Sequence, residues 1–184
     1  YKRCFSDPCL YYKIEGSNKT YVCVFVDDIL YAASNLKLME DLENIMTAGV
    51  RKLKLLGEAH KFLGMEITRD RIKKTITLKQ CDYIHELSIA AKITSTKPTP
   101  SLVSVDIFDL PPGDLPHIRS IVGKLRYPAD RCHPEILYIM SALASTQLNP
   151  SDSHVKAANR VVEYLLGVMG EGITLGGDSK VALE

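Results

Sequence analysis

The chain has 184 residues, 46% hydrophobic and 24% charged, with a formal net charge of +1. That is enough apolar material for one good core or two small ones and excludes a disordered chain; no apolar run approaches the roughly 20 residues of a membrane span. The balance is uneven: residues 51–80 carry nine bases against three acids, residues 1–50 five against seven, and residues 81–184 nine against twelve. A basic block of this kind suits a polyanion partner, with a solvated Lys-rich hairpin as the plain alternative.

In chain order, residues 9–15 and 20–26 alternate or run apolar around the turn Gly16-Ser17-Asn18, and 29–33 adds a third strand, which predicts an antiparallel meander. From Leu36 the period changes, and Leu36, Met39, Leu42, Ile45 and Met46 share one helical face, with Gly49 near the end. Lys61–Arg69 and Thr75–Lys79 form a further hairpin around the charged turn Asp70–Lys74. A short helix follows over Asp82–Ile93, with Asp82 as N-cap and Ile84, Leu87 and Ala91 inward. Pro98, Pro100, Pro111, Pro112, Gly113 and Pro116 then mark a linker.

Three apolar stripes at helical spacing come next. They are Leu115, Ile118, Ile121, Val122 and Leu125; then Ile136, Ile139, Met140 and Leu143, entered through Pro134; then Val155, Ala158, Val162, Leu165 and Leu166, opened by Ser151 and ended near Gly167. Together they predict a small bundle, so the fold class is α+β, an antiparallel sheet with packed helices followed by an all-α module. The five cysteines, Cys4, Cys9, Cys23, Cys81 and Cys132, are odd in number and lack a C-x-x-C pair, which points to reduced thiols and an intracellular setting. The five histidines are scattered with no metal-binding i, i+4 pair and read as surface or capping residues. The start at Tyr1 and stop at Glu184 both look like cuts from something longer.

The most informative stretch is Y-V-C-V-F-V-D-D-I-L-Y-A-A at 21–33, where Asp27 and Asp28 sit between two strands that want burial. Adjacent like charges repel and resist desolvation, and a divalent cation with hard oxygen ligands would relieve that cost. The alternative is a solvated turn whose aspartates bond local backbone.

Taken together, the motifs resemble the reverse transcriptases of copia-type LTR retrotransposons. F-V-D-D at 25–28 resembles their acidic-pair motif, and L-L-G-E-A-H-K-F-L-G-M-E-I at 55–67 resembles the region that follows it. I-T-L-K-Q-C-D-Y-I at 76–84, K-P-T-P at 97–100, R-S-I-V-G-K-L-R-Y at 119–127, H-P-E-I at 133–136 and A-A-N-R-V-V-E-Y-L-L-G at 157–167 follow in the family's order. The resemblance implies a right-hand polymerase, of which this chain would hold the second half of the palm (1–112), a thumb-like three-helix bundle (113–170) and the start of a connection toward ribonuclease H (171–184).

Such polymerases join a dNTP to a primer 3′-hydroxyl on an RNA or DNA template with two metal ions about 3.5–4 Å apart, Mg2+ or Mn2+. The resemblance makes Asp27 a metal ligand and Asp28 a supporting carboxylate, and places Val26 near the nucleotide and primer end. Lys54 falls near the pyrophosphate, Phe62, Leu63 and Gly64 in a primer-gripping hairpin, and Gly123, Lys124 and Tyr127 along the template–primer duplex. A further metal-binding Asp of the family comes from an earlier palm strand outside this chain, so the isolated chain is expected to be inactive. Leu55, Pro128, His133 and Glu135 depart from the family's pattern. They keep open a second reading, a non-catalytic relic or co-opted module that binds nucleic acid or protein. No membrane association is expected, and the parent element would act in a cytoplasmic virus-like particle or the nucleus.

Overall fold

A computed structural model describes residues 1–48, 53–93, 107–113 and 118–177. The chain divides into two compact units, 1–59 and 60–184. Gly49, Leu115, Pro116, His117 and the K-P-T-P motif at 97–100 lie outside the described residues.

The first unit is a four-stranded antiparallel sheet in the order β1-β2-β3-β4, with strands Lys2–Arg3, Leu10–Glu15, Asn18–Phe25 and Asp28–Ala33. The predicted meander is present, and the two-residue strand β1 adds to its outer edge. Period-two alternation sends Thr20, Val22 and Val24 to one face and Tyr21, Cys23 and Phe25 to the other. Helix α1 (Leu36–Thr47) packs toward the first of these, where Tyr31 of β4 donates its hydroxyl to Glu43 at 2.7 Å. Burial and the adjacent Glu43 push the Tyr31 phenol up to about 12. Asn35 caps α1 by accepting from the Leu38 N–H at 3.0 Å. The helical face is narrower than the spacing predicts: Leu42 is buried and Met39 and Met46 are half-buried, but Leu36 and Ile45 point to solvent. On the opposite sheet face Tyr21, Phe25 and Ile14 are exposed.

Among the described residues, the second unit combines a second antiparallel sheet, in the order β5-β6-β7-β8, with four α-helices. Its strands are β5 (Lys61–Phe62), β6 (Met65–Asp70), β7 (Thr75–Lys79) and β8 (Ile173–Gly176). Two features differ from expectation. The strand expected over Lys61–Arg69 is folded back on itself at Leu63-Gly64, and Ile173–Gly176 returns from the far end of the chain to pair with β7.

Helices α2 (Cys81–Ala90), α3 (Ile118–Arg131), α4 (Leu137–Ser145) and α5 (Asp152–Val168) share one core. Ile84 and Leu87 of α2 meet Ile118, Val122 and Leu125 of α3, Ile139, Met140 and Leu143 of α4, and Ala158, Val162 and Leu165 of α5. Among the described residues the three predicted stripes are buried or half-buried, and they pack against α2 as well as one another. Pro134 opens a 3-10 turn, Pro134–Ile136, ahead of α4.

Two local expectations need correction. The N-cap of α2 is Gln80, not Asp82, which sits in the first turn and reaches Lys61 instead. One histidine is neither at the surface nor capping through its side chain: His133 is buried with its Nδ1 on Glu135 at 2.8 Å, whereas His154 is a buried capping-box partner of Ser151, the capping role expected. Helix α3 runs through Pro128, a residue that costs about 3 kcal/mol inside a helix.

Candidate functional site

In the first unit, Phe25 and Asp28 pair across β3 and β4, so Val26 and Asp27 form a two-residue turn. Val26 has φ of 53°, a left-handed conformation that a β-branched residue rarely takes, and its side chain is 83% exposed. Two adjacent carboxylates are thus displayed at the open end of a hairpin, Asp27 at the tip and Asp28 as the first residue of β4, both exposed. Such groups keep their hydration and can accept a hard cation. Among the described residues, however, no group of three or more His, Cys, Asp or Glu side chains comes together to hold a metal. Two carboxylates on one turn supply too few ligands for a pair of Mg2+ ions, each of which demands near-octahedral coordination. The residues present do not by themselves make a two-metal site. Lys54, in chain without regular structure between α1 and β5, is exposed.

In the second unit, two sets of residues that lie far apart in sequence meet. Leu63 (φ 51°) and Gly64 (φ 75°) form the turn between β5 and β6, with both central residues in the left-handed region as a tight hairpin of the right twist requires. Tyr127 of α3 donates its hydroxyl to the carbonyl of Leu63. A Cβ on Gly64 would come within 3.3 Å of that hydroxyl, so a glycine permits this approach. Tyr83 of α2 stands edge-on to Tyr127, with ring centroids 5.0 Å apart at 77°, and donates its own hydroxyl to the carbonyl of Lys124 at 2.8 Å. Burial, with Tyr127 and Glu86 alongside, raises the Tyr83 phenol above its usual range. Sequence reasoning did not single out Tyr83.

The start of α2 is tied to the same hairpin. Lys61 and Asp82 pair at 2.7 Å, and the Asp82 N–H donates to Glu66 Oε1 at 3.0 Å. The Asp82 carboxylate holds the exposed Lys61 ammonium above its usual range, and is itself held below the ordinary carboxylate value. Lys61 of the basic block is accordingly committed to a nearby carboxylate, and Lys73 lies 4.0 Å from Asp70.

Gly123 and Lys124 are exposed on α3, and a Cβ at Gly123 would meet nothing within 4 Å. Gly123 lies in a groove of about 420 Å³ between α3 and α4, bordered by Arg119, Arg126, Leu137 and Ser141. Arg126 is held by Asp130 at 2.6 Å. Tyr127, one turn on, is half-buried against Tyr83 and does not share this opening. His133 and Glu135, which depart from the family's pattern, bond to each other at 2.8 Å, while the buried His133 Nε2 has no hydrogen-bond partner among the described residues.

Antiparallel sheets, one with an acidic hairpin, and a helical region make an α+β fold consistent with part of a polymerase palm plus a helical region. Residues 1–103 match the reverse transcriptase (RNA-dependent DNA polymerase) family, and the chain belongs to that family, in its copia-type retrotransposon branch. It is 32% identical over 161 residues to the putative transposon Ty5-1 protein YCL074W of Saccharomyces cerevisiae, covering 85% of this chain and 52% of that one. It is 26% identical to the retrovirus-related Pol polyprotein from transposon TNT 1-94 of Nicotiana tabacum, covering 98% of this chain and 14% of the relative. The Pol polyprotein from transposon RE1 of Arabidopsis thaliana is 32% identical, over 92% of this chain and 12% of the relative. The chain thus spans about half of one of these relatives and a small part of the others. No solved structure matches it. No helix among the described residues is long and apolar enough to cross a membrane.

Proposed function

We propose that this chain is the second half of the palm, the thumb and the start of the connection of a copia-type RNA-directed DNA polymerase, divided at 112/113 and 170/171, and that it is inactive alone. In the complete enzyme Asp27 is a ligand of the catalytic Mg2+ (or Mn2+), Asp28 supports it, and Val26 borders the incoming dNTP and primer end. Lys54 lies toward the pyrophosphate, the Phe62–Leu63–Gly64 hairpin meets the primer, and Gly123, Lys124 and Tyr127 belong to the surface that meets the template–primer duplex. Ribonuclease H follows in the polyprotein, and the enzyme works inside the cell.

One observation carries this reading: in a chain of the reverse transcriptase family, two adjacent carboxylates stand exposed at the tip of a β-hairpin. Two further features favour a palm completed from outside the chain. Among the described residues, the outer edge of β4, which begins at Asp28, has no strand partner, and one face of that sheet leaves Tyr21 and Phe25 exposed. Unpaired edges and open apolar faces are where further strands add. The test is primer extension with Mg2+ or Mn2+ by the longest natural reading frame that contains this sequence, beside its Asp27→Asn variant. Extension should fall at least about a hundredfold, the scale of removing a transition-state charge stabiliser. Activity that survives the substitution would refute the ligand role of Asp27.

A further inference from the structure

We infer that Tyr83 and Tyr127 are positioning residues that clamp the Leu63–Gly64 turn onto helix α3, and that Pro128 is the reason Tyr83 is needed. The second unit alone contains every group involved.

A proline has no backbone N–H, so Pro128 leaves the carbonyl four residues earlier, that of Lys124, without its helical donor. An acceptor freed on this exposed stretch of helix takes a donor from whatever lies near it, water or side chain. Tyr83 supplies the missing hydrogen bond from outside the helix, its hydroxyl reaching the Lys124 carbonyl at 2.8 Å. That bond fixes where the Tyr83 ring stands, and the ring presents its edge to Tyr127, 5.0 Å away between centroids. Tyr127 is thereby held with its hydroxyl on the carbonyl of Leu63. Leu63 needs that support, because a non-glycine residue at φ of 51° is strained and its carbonyl takes no part in the Phe62–Met65 pairing. Gly64 completes the fit, since a side chain there would crowd the Tyr127 oxygen. The Lys61–Asp82 pair and the Glu66 bond to the Asp82 N–H anchor α2 to the same hairpin from its other end.

The turn therefore moves with α2 and α3 as one piece. The meaning of that for primer handling rests on the proposed function, whereas the clamp does not. It would give the hairpin a fixed distance from the exposed Gly123–Lys124 edge of α3.

The test uses hydrogen exchange on the full chain, read over peptides spanning residues 61–67. Tyr127→Phe keeps the ring and removes the hydroxyl, and should speed exchange there about fivefold, the effect of one net hydrogen bond, while leaving the β7–β8 pairing unchanged. Tyr83→Phe should act in the same direction. In a Pro128→Ala background the restored N–H of residue 128 replaces the tyrosine donor, and the effect of Tyr83→Phe should shrink to under about twofold. Equal effects of Tyr83→Phe in both backgrounds, or unaltered exchange in Tyr127→Phe, would overturn the clamp. In primer extension by the parent polypeptide, Tyr127→Phe should raise the KM for template–primer about fivefold and leave the KM for dNTP as it was. Equal rises in both would mean a general loss and count against positioning. Failure of the Asp27→Asn experiment would fall on the proposed function and leave the exchange result standing.

Discussion

Replacing Val26 with asparagine should stabilise the first unit. Val26 sits at φ of 53° with 83% of its side chain exposed, so it bears the cost of the left-handed region and recovers almost nothing by burial. That cost is about 1–2 kcal/mol for an ordinary L-residue, and β-branching adds to it. Asparagine enters the region with little penalty, so Val26→Asn should gain about 1 kcal/mol. Val26→Gly should gain about half as much, because glycine also loses more freedom on folding, by about 0.5–1 kcal/mol. Amides of the β3–β4 pairing would then exchange about fivefold more slowly in the asparagine variant, as mass spectrometry of residues 20–33 would record. Faster or unchanged exchange in both variants would refute the claim that the turn is strained. If the strain serves nucleotide placement, the same substitutions should lower primer extension while raising stability.

The remaining predictions concern the second unit and the thiols. Leu125→Ala empties a fully buried core position and should cost about 2–5 kcal/mol, measured as a lower urea midpoint. Gly123→Ala meets no neighbour within 4 Å and should stabilise α3 by up to about 1 kcal/mol; weaker template–primer binding by the parent polypeptide despite that gain would place the Gly123 face on the duplex. Because Lys61 depresses the Asp82 carboxyl, their pair contributes stability that is present above about pH 4 and lost as pH falls through the lowered value; Asp82→Asn should remove that part of the acid limb in urea titrations. Exposed Cys9 should react with iodoacetamide in the native chain. Cys132, 2% exposed and with its thiol pushed up to about 11 chiefly by burial, should react only after unfolding.

Much of the fold was legible because it rests on local periodicity. Alternation over 10–33 specified the meander and put Asp27 and Asp28 at its bend, since a one-residue slip would expose every buried side chain of a strand. The stripes through Val122 and Leu125, Ile139 and Leu143, and Val162 and Leu165 specified helices by the same logic at a longer period. Where two patterns competed, the reading was poorer. Asp82 has the chemistry of an N-cap, but Lys61, distant in sequence, offers it an ion pair, and Gln80 takes the cap position. Leu36 and Ile45 fit the apolar spacing of α1, yet both point to solvent while Leu42 is buried.

By itself the sequence determined that a hairpin would carry two neighbouring carboxylates and that three amphipathic helices would follow, because near neighbours along the chain dictate both. Only the tertiary structure decided which distant groups meet: Ile173–Gly176 beside β7, the Tyr127 hydroxyl on Leu63, and the Tyr83 hydroxyl on the carbonyl that Pro128 leaves open. The physical reason is that an unpaired backbone acceptor can be satisfied by any donor the packing brings near, and no pattern along the chain names the donor in advance.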